Sequence, residues 1–147
     1  MPAFKIVGPG QGTAINPFGI SMNVMLRADD TGGTFASLVA ELDPGQGPPP
    51  HFHHDHDEYF FILEGRFSLS VGGQDVTAEP GTMVYVPRET VHAFKNIGTT
   101  RGKILEWGLP GGQERYFEAI DQLAARGEMN PENIVATSRA FETEFVV

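Results

Sequence analysis

Apolar residues come in short runs along this chain, each closed by glycine or proline, until about residue 110. Ile20–Arg27 (ISMNVMLR) alternates apolar and polar positions and predicts a strand, followed by a turn at Asp29-Asp30-Thr31-Gly32-Gly33. Thr34–Leu42 is short and bounded by turns, which favours a strand over a helix. Asp43–Pro50 (DPGQGPPP) is a rigid loop, because consecutive prolines lack the donors a sheet needs. Further strands are predicted around His51–His53 and Glu58–Leu63, and over Arg66–Val71, Gln74–Ala78, Thr82–Val86, Val91–Asn96 and Lys103–Trp107. Turns at Gly72-Gly73, Glu79-Pro80-Gly81 and Gly98–Gly102 separate the later ones. A further short strand at Phe4–Val7 is expected in the Gly/Pro-rich start. Many short strands at regular spacing argue for an all-β barrel or double-sheet jelly roll.

After Leu109-Pro110-Gly111-Gly112 the period changes from two to helical. Tyr116, Phe117, Ile120, Leu123 and Ala124 recur on one face of Gln113–Arg126, with Gly127 as its cap. Asn130-Pro131 starts a second helix running to about Arg139, and Glu142–Val147 reads as an extended tail. The expected organisation is one domain over 1–147, with a barrel over 1–110 and a helical extension over 111–147. Phe117 and Phe141 are expected to be core residues.

Four of the five histidines, His51, His53, His54 and His56, crowd into HFHHDH, and the fifth is His92. Residues two apart on a strand share a face, so His51 and His53 project together. Glu58 shares its face with Phe60 and Ile62, while Tyr59, Phe61 and Leu63 take the other. With both faces apolar, this strand is expected to be buried on both sides. A carboxylate among such neighbours is costly unless paired or metal-bound. These points predict that His51, His53, Glu58 and His92 converge on one divalent metal ion. The chain has no cysteine, so the ion must be one that imidazole and carboxylate suit: Fe, Ni, Mn, Cu or Zn. His54 and His56 are expected to be solvent-facing rim residues with no ligand role.

The chain has 147 residues and a net charge of −9, with a pI near 4.9. That balance disfavours nucleic acid and anionic membranes as partners. No apolar run is long enough for a membrane span, and MPAFKIVGPGQG has no basic stretch followed by a long apolar one. A cytoplasmic protein is the expectation.

The spacing Gly45-x5-His51-x-His53-x4-Glu58-x6-Gly65 resembles the first motif of the cupin superfamily. Gly81-x5-Pro87-x-Glu89-x2-His92-x3-Asn96 resembles the second, with Glu89 where the family usually has Gly. That position shapes a turn and binds no metal. The resemblance implies a cupin-type double-stranded β-helix with a metal in its mouth held by His51, His53, Glu58 and His92. PPPHFHHDHDEYFFILEG and PGGQERYFEAI are similar to the single-domain branch described as quercetin 2,3-dioxygenase-like. The activity so implied is a dioxygenase reaction of O2 with a flavonol-like or other enolic aromatic molecule. Glu58 would serve as ligand and as base for the enol proton. Phe60, Ile62 and Phe94, with Met83 or Tyr85, are candidates for an apolar substrate wall. A non-redox isomerase or cyclase, or a small-molecule binding module, would use the same residues. Cupins commonly pair, and open sheet edges gain from being covered, so a homodimer is expected.

Overall fold

The computed structural model describes residues 3–146. In chain order the strands are β1 (Thr13–Ile15), β2 (Ser21–Leu26), β3 (Ala36–Leu42), β4 (His51–His53), β5 (Asp57–Glu64) and β6 (Phe67–Val71). Then follow β7 (Gln74–Ala78), β8 (Met83–Val86), β9 (His92–Asn96) and β10 (Gly102–Leu109). Helices α1 (Gln113–Ala125) and α2 (Pro131–Ala140) precede a last strand, β11 (Thr143–Phe145). The strands form two sheets, ordered β1-β2-β3-β10-β5-β8 and β11-β4-β9-β6-β7, and every pairing is antiparallel. This is the mostly-β jelly roll that the spacing of turns predicts.

The core lies between the sheets. Leu38, Leu42, Phe60, Ile62, Phe67, Leu69 and Ile104 belong to one buried cluster. Alternation supplies the inward face of each strand: on β10, Gly102, Ile104, Glu106 and Gly108 are buried and their neighbours only partly so. β5 is not buried on both sides, as its composition suggests. Glu58, Phe60 and Ile62 are inside, but Tyr59 and Phe61 are half-covered and Leu63 is exposed. The outer face keeps its aromatic character because Tyr59 stacks on Trp107 and on Tyr85, with ring centres 5.4 and 5.1 Å apart.

Asn96 ties the loops at one end together. Its Nδ2 donates to the carbonyls of Leu42 and Thr100, each at 2.9 Å, and its Oδ1 accepts from Gly98 N–H at 2.8 Å. The DPGQGPPP loop lies flat on β9, with Gly45 N–H donating to Asn96 O and Asn96 N–H to Gln46 O. A Cβ at Gly47 would stand 1.8 Å from the Phe94 carbonyl oxygen, so only glycine permits this approach. The loop thereby delivers His51 directly opposite His92 across β4 and β9.

Three expectations change. Phe4–Val7 forms no strand, and Phe4 and Ile6 are 87% and 83% exposed. Thr13–Ile15 forms a strand instead, paired with Met22–Val24 of β2. The C-terminal extension is not wholly helical: β11, within the expected tail, returns to pair with β4. The last residue of that tail, Val147, lies outside the described residues. The helices match their predicted spans closely. The Asn130 side chain caps α2 by accepting from Asn133 N–H at 2.8 Å, and Gly127 follows α1 with φ +69°. Among the described residues no helix is long and apolar enough to cross a membrane.

Candidate metal centre

Three imidazoles and a carboxylate meet between the sheets. β4 presents His51 and His53 and β9 presents His92, all from one sheet; β5 presents Glu58 from the other. His51, His53 and His92 offer ligand atoms within 4.8 Å of one another. His92 Nε2 is 3.2 Å from Glu58 Oε2, and His53 Nε2 is 2.7 Å from Glu58 Oε1. All four residues are buried.

Each ring is fixed by an oxygen partner at Nδ1. His51 Nδ1 donates to Pro49 O at 2.8 Å, and His92 Nδ1 to Thr90 O at 2.9 Å. His53 Nδ1 lies 2.7 Å from Thr143 Oγ1, whose own proton goes to Phe141 O at 3.2 Å. With Nδ1 engaged by an oxygen, Nε2 is the nitrogen each ring turns to the cluster, the arrangement that metal-binding histidines need. His53 Nε2 is buried without a hydrogen bond. Its short contact with Glu58 Oε1 lacks hydrogen-bond geometry, so the two atoms are close without being directed at each other. A cation between them would satisfy both, and the donor set suits a divalent transition metal.

The electrostatics follow from burial and crowding. Burial pushes His51 down to about 3, helped by His92 and His53. Burial alone would raise the Glu58 carboxyl, but His53, His56 and His92 hold it well below the usual carboxylate range. For His92 burial acts downward and Glu58 outweighs it, leaving the ring above its ordinary value.

His56 is a correction. It is not a rim residue: it is 6% exposed, stacks on His53 at 4.4 Å, and places Nε2 3.1 Å from Glu58 Oε1. Its Nδ1 pairs with Asp55 Oδ1 at 2.8 Å. Burial pulls its pKa down, but Glu58 and Asp55 overcome that and the net direction is up. With His53 and Glu58 it forms a second set of atoms within 4.8 Å of one another. The signal was parity, because His56 stands two residues before Glu58 and shares its face. His54 does face outward, where Nδ1 meets Glu89 Oε1 at 2.9 Å.

His51, His53 and Glu58 line a cavity of about 530 Å3, and His92, 2% exposed, is not part of its wall. Phe60 and Phe94 form part of its wall. Ile62 does not, since it is fully buried in the core beside the cavity. Met83 and Tyr85 are 53% and 54% exposed and point away from it. The helices contribute Tyr116, Phe117, Ile134 and Val135, so Phe117 is both a packing residue and a cavity wall. Glu106, passed over in the sequence, also lines the cavity. A charged residue breaking the inward face of an apolar strand was the available signal.

Comparison with known proteins decides the family. The Cupin domain family matches residues 38–108. An uncharacterized protein of Methanocaldococcus jannaschii is 34% identical over 90 residues, covering 60% of this chain and 72% of that protein. The chain belongs to the cupin superfamily. Quercetin 2,3-dioxygenase of Bacillus subtilis is 30% identical to this cupin over 97 residues, covering 66% of the chain. The chain spans only 28% of that enzyme's length. Among solved structures, KdgF from Halomonas sp. superposes with a TM-score of 0.68 at 16% identity, over 77% of this cupin and 99% of KdgF. The fold accounts for the motif position held by Glu89. Its φ of +68° is in the left-handed region, where glycine is at ease and glutamate is strained. Here the side chain pairs with His54 and the backbone N–H donates to His53 O at 2.8 Å, bracing the histidine strand.

Proposed function

We propose that this cupin is a metal-dependent enzyme, and specifically a dioxygenase of flavonol-like or other enolic aromatic molecules. The observation supporting it is that the His51, His53, Glu58 and His92 cluster opens, through His51, His53 and Glu58, into a mostly apolar, aromatic-lined cavity. The similarity to quercetin 2,3-dioxygenase points the same way. In this reading the four side chains hold one divalent ion among Fe, Ni, Mn, Cu and Zn. When bound, such an ion supplies Lewis acidity at the substrate's enolate oxygen. Glu58 takes the enol proton, being within reach of any group that enters the cluster. Phe60 and Phe94, whose rings are 5.4 Å apart and pack on each other, offer one aromatic wall for the flat ring, and the helix residues Tyr116 and Phe117 keep water out.

The test is to offer 3-hydroxyflavone to the metal-loaded protein in air and under nitrogen. Coupled loss of enol and O2, with both oxygen atoms in the organic products, is the expected result. Turnover under nitrogen would replace the dioxygenase with a non-redox isomerase or cyclase, and tight binding without conversion would replace it with a binding module.

The homodimer belongs to the same proposal. Tyr59, Tyr85, Trp107 and Met83 form an apolar strip on the outer face of the six-stranded sheet, and Met83 and Tyr85 are more than half exposed. Its continuous aromatic stack suits a second copy of the same sheet. Light scattering should return the mass of two chains, and Tyr85→Lys that of one.

A further inference from the structure

Glu106 sits on the inward face of β10, the central strand of its sheet, opposite Phe60 on one side and Leu38 on the other. It is 3% exposed, and its remaining surface is turned to the cavity. Among the described residues no hydrogen bond, cation or backbone amide reaches its carboxyl; the only charge acting on it is that of Glu58. The same cavity is walled by apolar side chains that include Met22, Ala40, Phe60 and Phe117. An unpaired polar group in such a place costs stability, and an aliphatic residue would pack there without that cost. A group kept at a net cost, facing the open space of the site, calls for a partner that arrives with the ligand.

The register fixes where that partner must lie. Glu58 pairs with Gly108, so Glu106 is its diagonal neighbour on the adjacent strand. Diagonal positions stand roughly 7–8 Å apart. A rigid aromatic molecule with one oxygen at the histidine cluster would meet Glu106 about one to two ring widths further into the cavity.

We propose that Glu106 is a specificity-determining residue of this cavity. It hydrogen-bonds a second oxygen of a flat aromatic ligand whose first oxygen is seated at the His51, His53, Glu58 and His92 cluster. This rests on the proposed function above and narrows its substrate class to aromatics oxygenated at two well-separated positions. Burial, and then the Glu58 charge, push the Glu106 carboxyl well above the usual range. That direction favours the neutral acid, which can donate to a carbonyl or hydroxyl oxygen and accept a hydrogen bond from a hydroxyl.

The test uses binding without turnover, on metal-loaded protein under argon, with 2-naphthol and 2,6-dihydroxynaphthalene as probes. Wild type should bind the dihydroxy probe about tenfold more tightly, the worth of one buried hydrogen bond. Glu106→Leu should erase that preference, and Glu106→Gln, which still donates and accepts, should keep most of it. Metal content should be the same in all three proteins. The infrared carbonyl band of a protonated carboxyl should shift when the dihydroxy probe binds wild type and be missing from Glu106→Gln, whatever the folding of the Leu variant. Equal affinities in wild type, binding of neither probe, a preference that survives Glu106→Leu, or metal lost from Glu106→Gln would each overturn the assignment. Because no reaction is measured, failure of the oxygenase assay leaves this result standing on its own.

Discussion

Replacing Thr143 by Val removes a single hydroxyl from the metal centre without touching a ligand. Thr143 is buried on β11, and its Oγ1 is the partner of His53 Nδ1 at 2.7 Å. Because that hydroxyl donates to Phe141 O, it accepts the His53 proton and holds Nε2 bare toward Glu58. In the Val variant His53 has two options. It can keep its proton at Nδ1, now buried and unpaired, at a cost of about 1–3 kcal/mol. Otherwise it moves the proton to Nε2, where it faces Glu58 Oε1 and blocks the lone pair. The metal-free protein takes the second option, and binding an ion then forces it back to the first at that cost. At about 1.4 kcal/mol per tenfold, the loss is about 10- to 100-fold in metal affinity, the range typical of partners that orient metal-binding histidines. Titrating Zn2+ against a competing chelator measures it directly. Thr143→Ser, which keeps the hydroxyl, should stay within about threefold of wild type. Equal metal affinity of Thr143→Val and wild type, with both folded, would refute this account of the His53 tautomer.

Three further outcomes are expected. His56→Ala should weaken metal binding by about tenfold because it removes a buried contact of Glu58, while His54→Ala should leave it unchanged in the same chelator titration. Glu89→Gly should relieve left-handed strain of about 1 kcal/mol and raise the melting temperature. That gain should be largest above the histidine range: His54 is raised by Glu89, so their pairing stabilises at low pH and is lost as pH rises through the folded pKa. Chelator-treated protein should melt at progressively lower temperature as pH falls from about 6.5 toward 3, because the folded state holds His51 neutral down to about 3 while the unfolded chain binds its proton. His56 and His92 have raised pKa values, so their contribution is complete below 6.5 and is lost only on the alkaline side. A flat melting temperature across that window would contradict the burial of His51.

The fold and the candidate ligands were legible because both rest on local rules. Alternation placed His51 beside His53, and glycine and proline marked where each strand ends. Asn96 stood out in the sequence only as part of a motif; the structure gives it the job of clamping three loop groups. What escaped depended on partners distant in sequence. Thr13–Ile15 carries no strand pattern of its own and is a strand because β2 offers it an edge. Phe4–Val7 has the pattern but pairs with no strand of either sheet among the described residues. Thr143 lies 90 residues from His53, so nothing local announces the contact. His56 and Glu106 are different: parity put both on inward faces, and their polar character drew them wrongly toward solvent or out of notice.

The central claim is that His51, His53, Glu58 and His92 hold a single ion. Elemental analysis of protein purified without added metal, alongside its His92→Ala variant, is the most direct measurement. The expected result is close to one equivalent of a divalent transition metal per chain in wild type and a small fraction of that in the variant. Full occupancy in His92→Ala, or a wild-type protein that takes up no transition metal even when it is supplied, would contradict it.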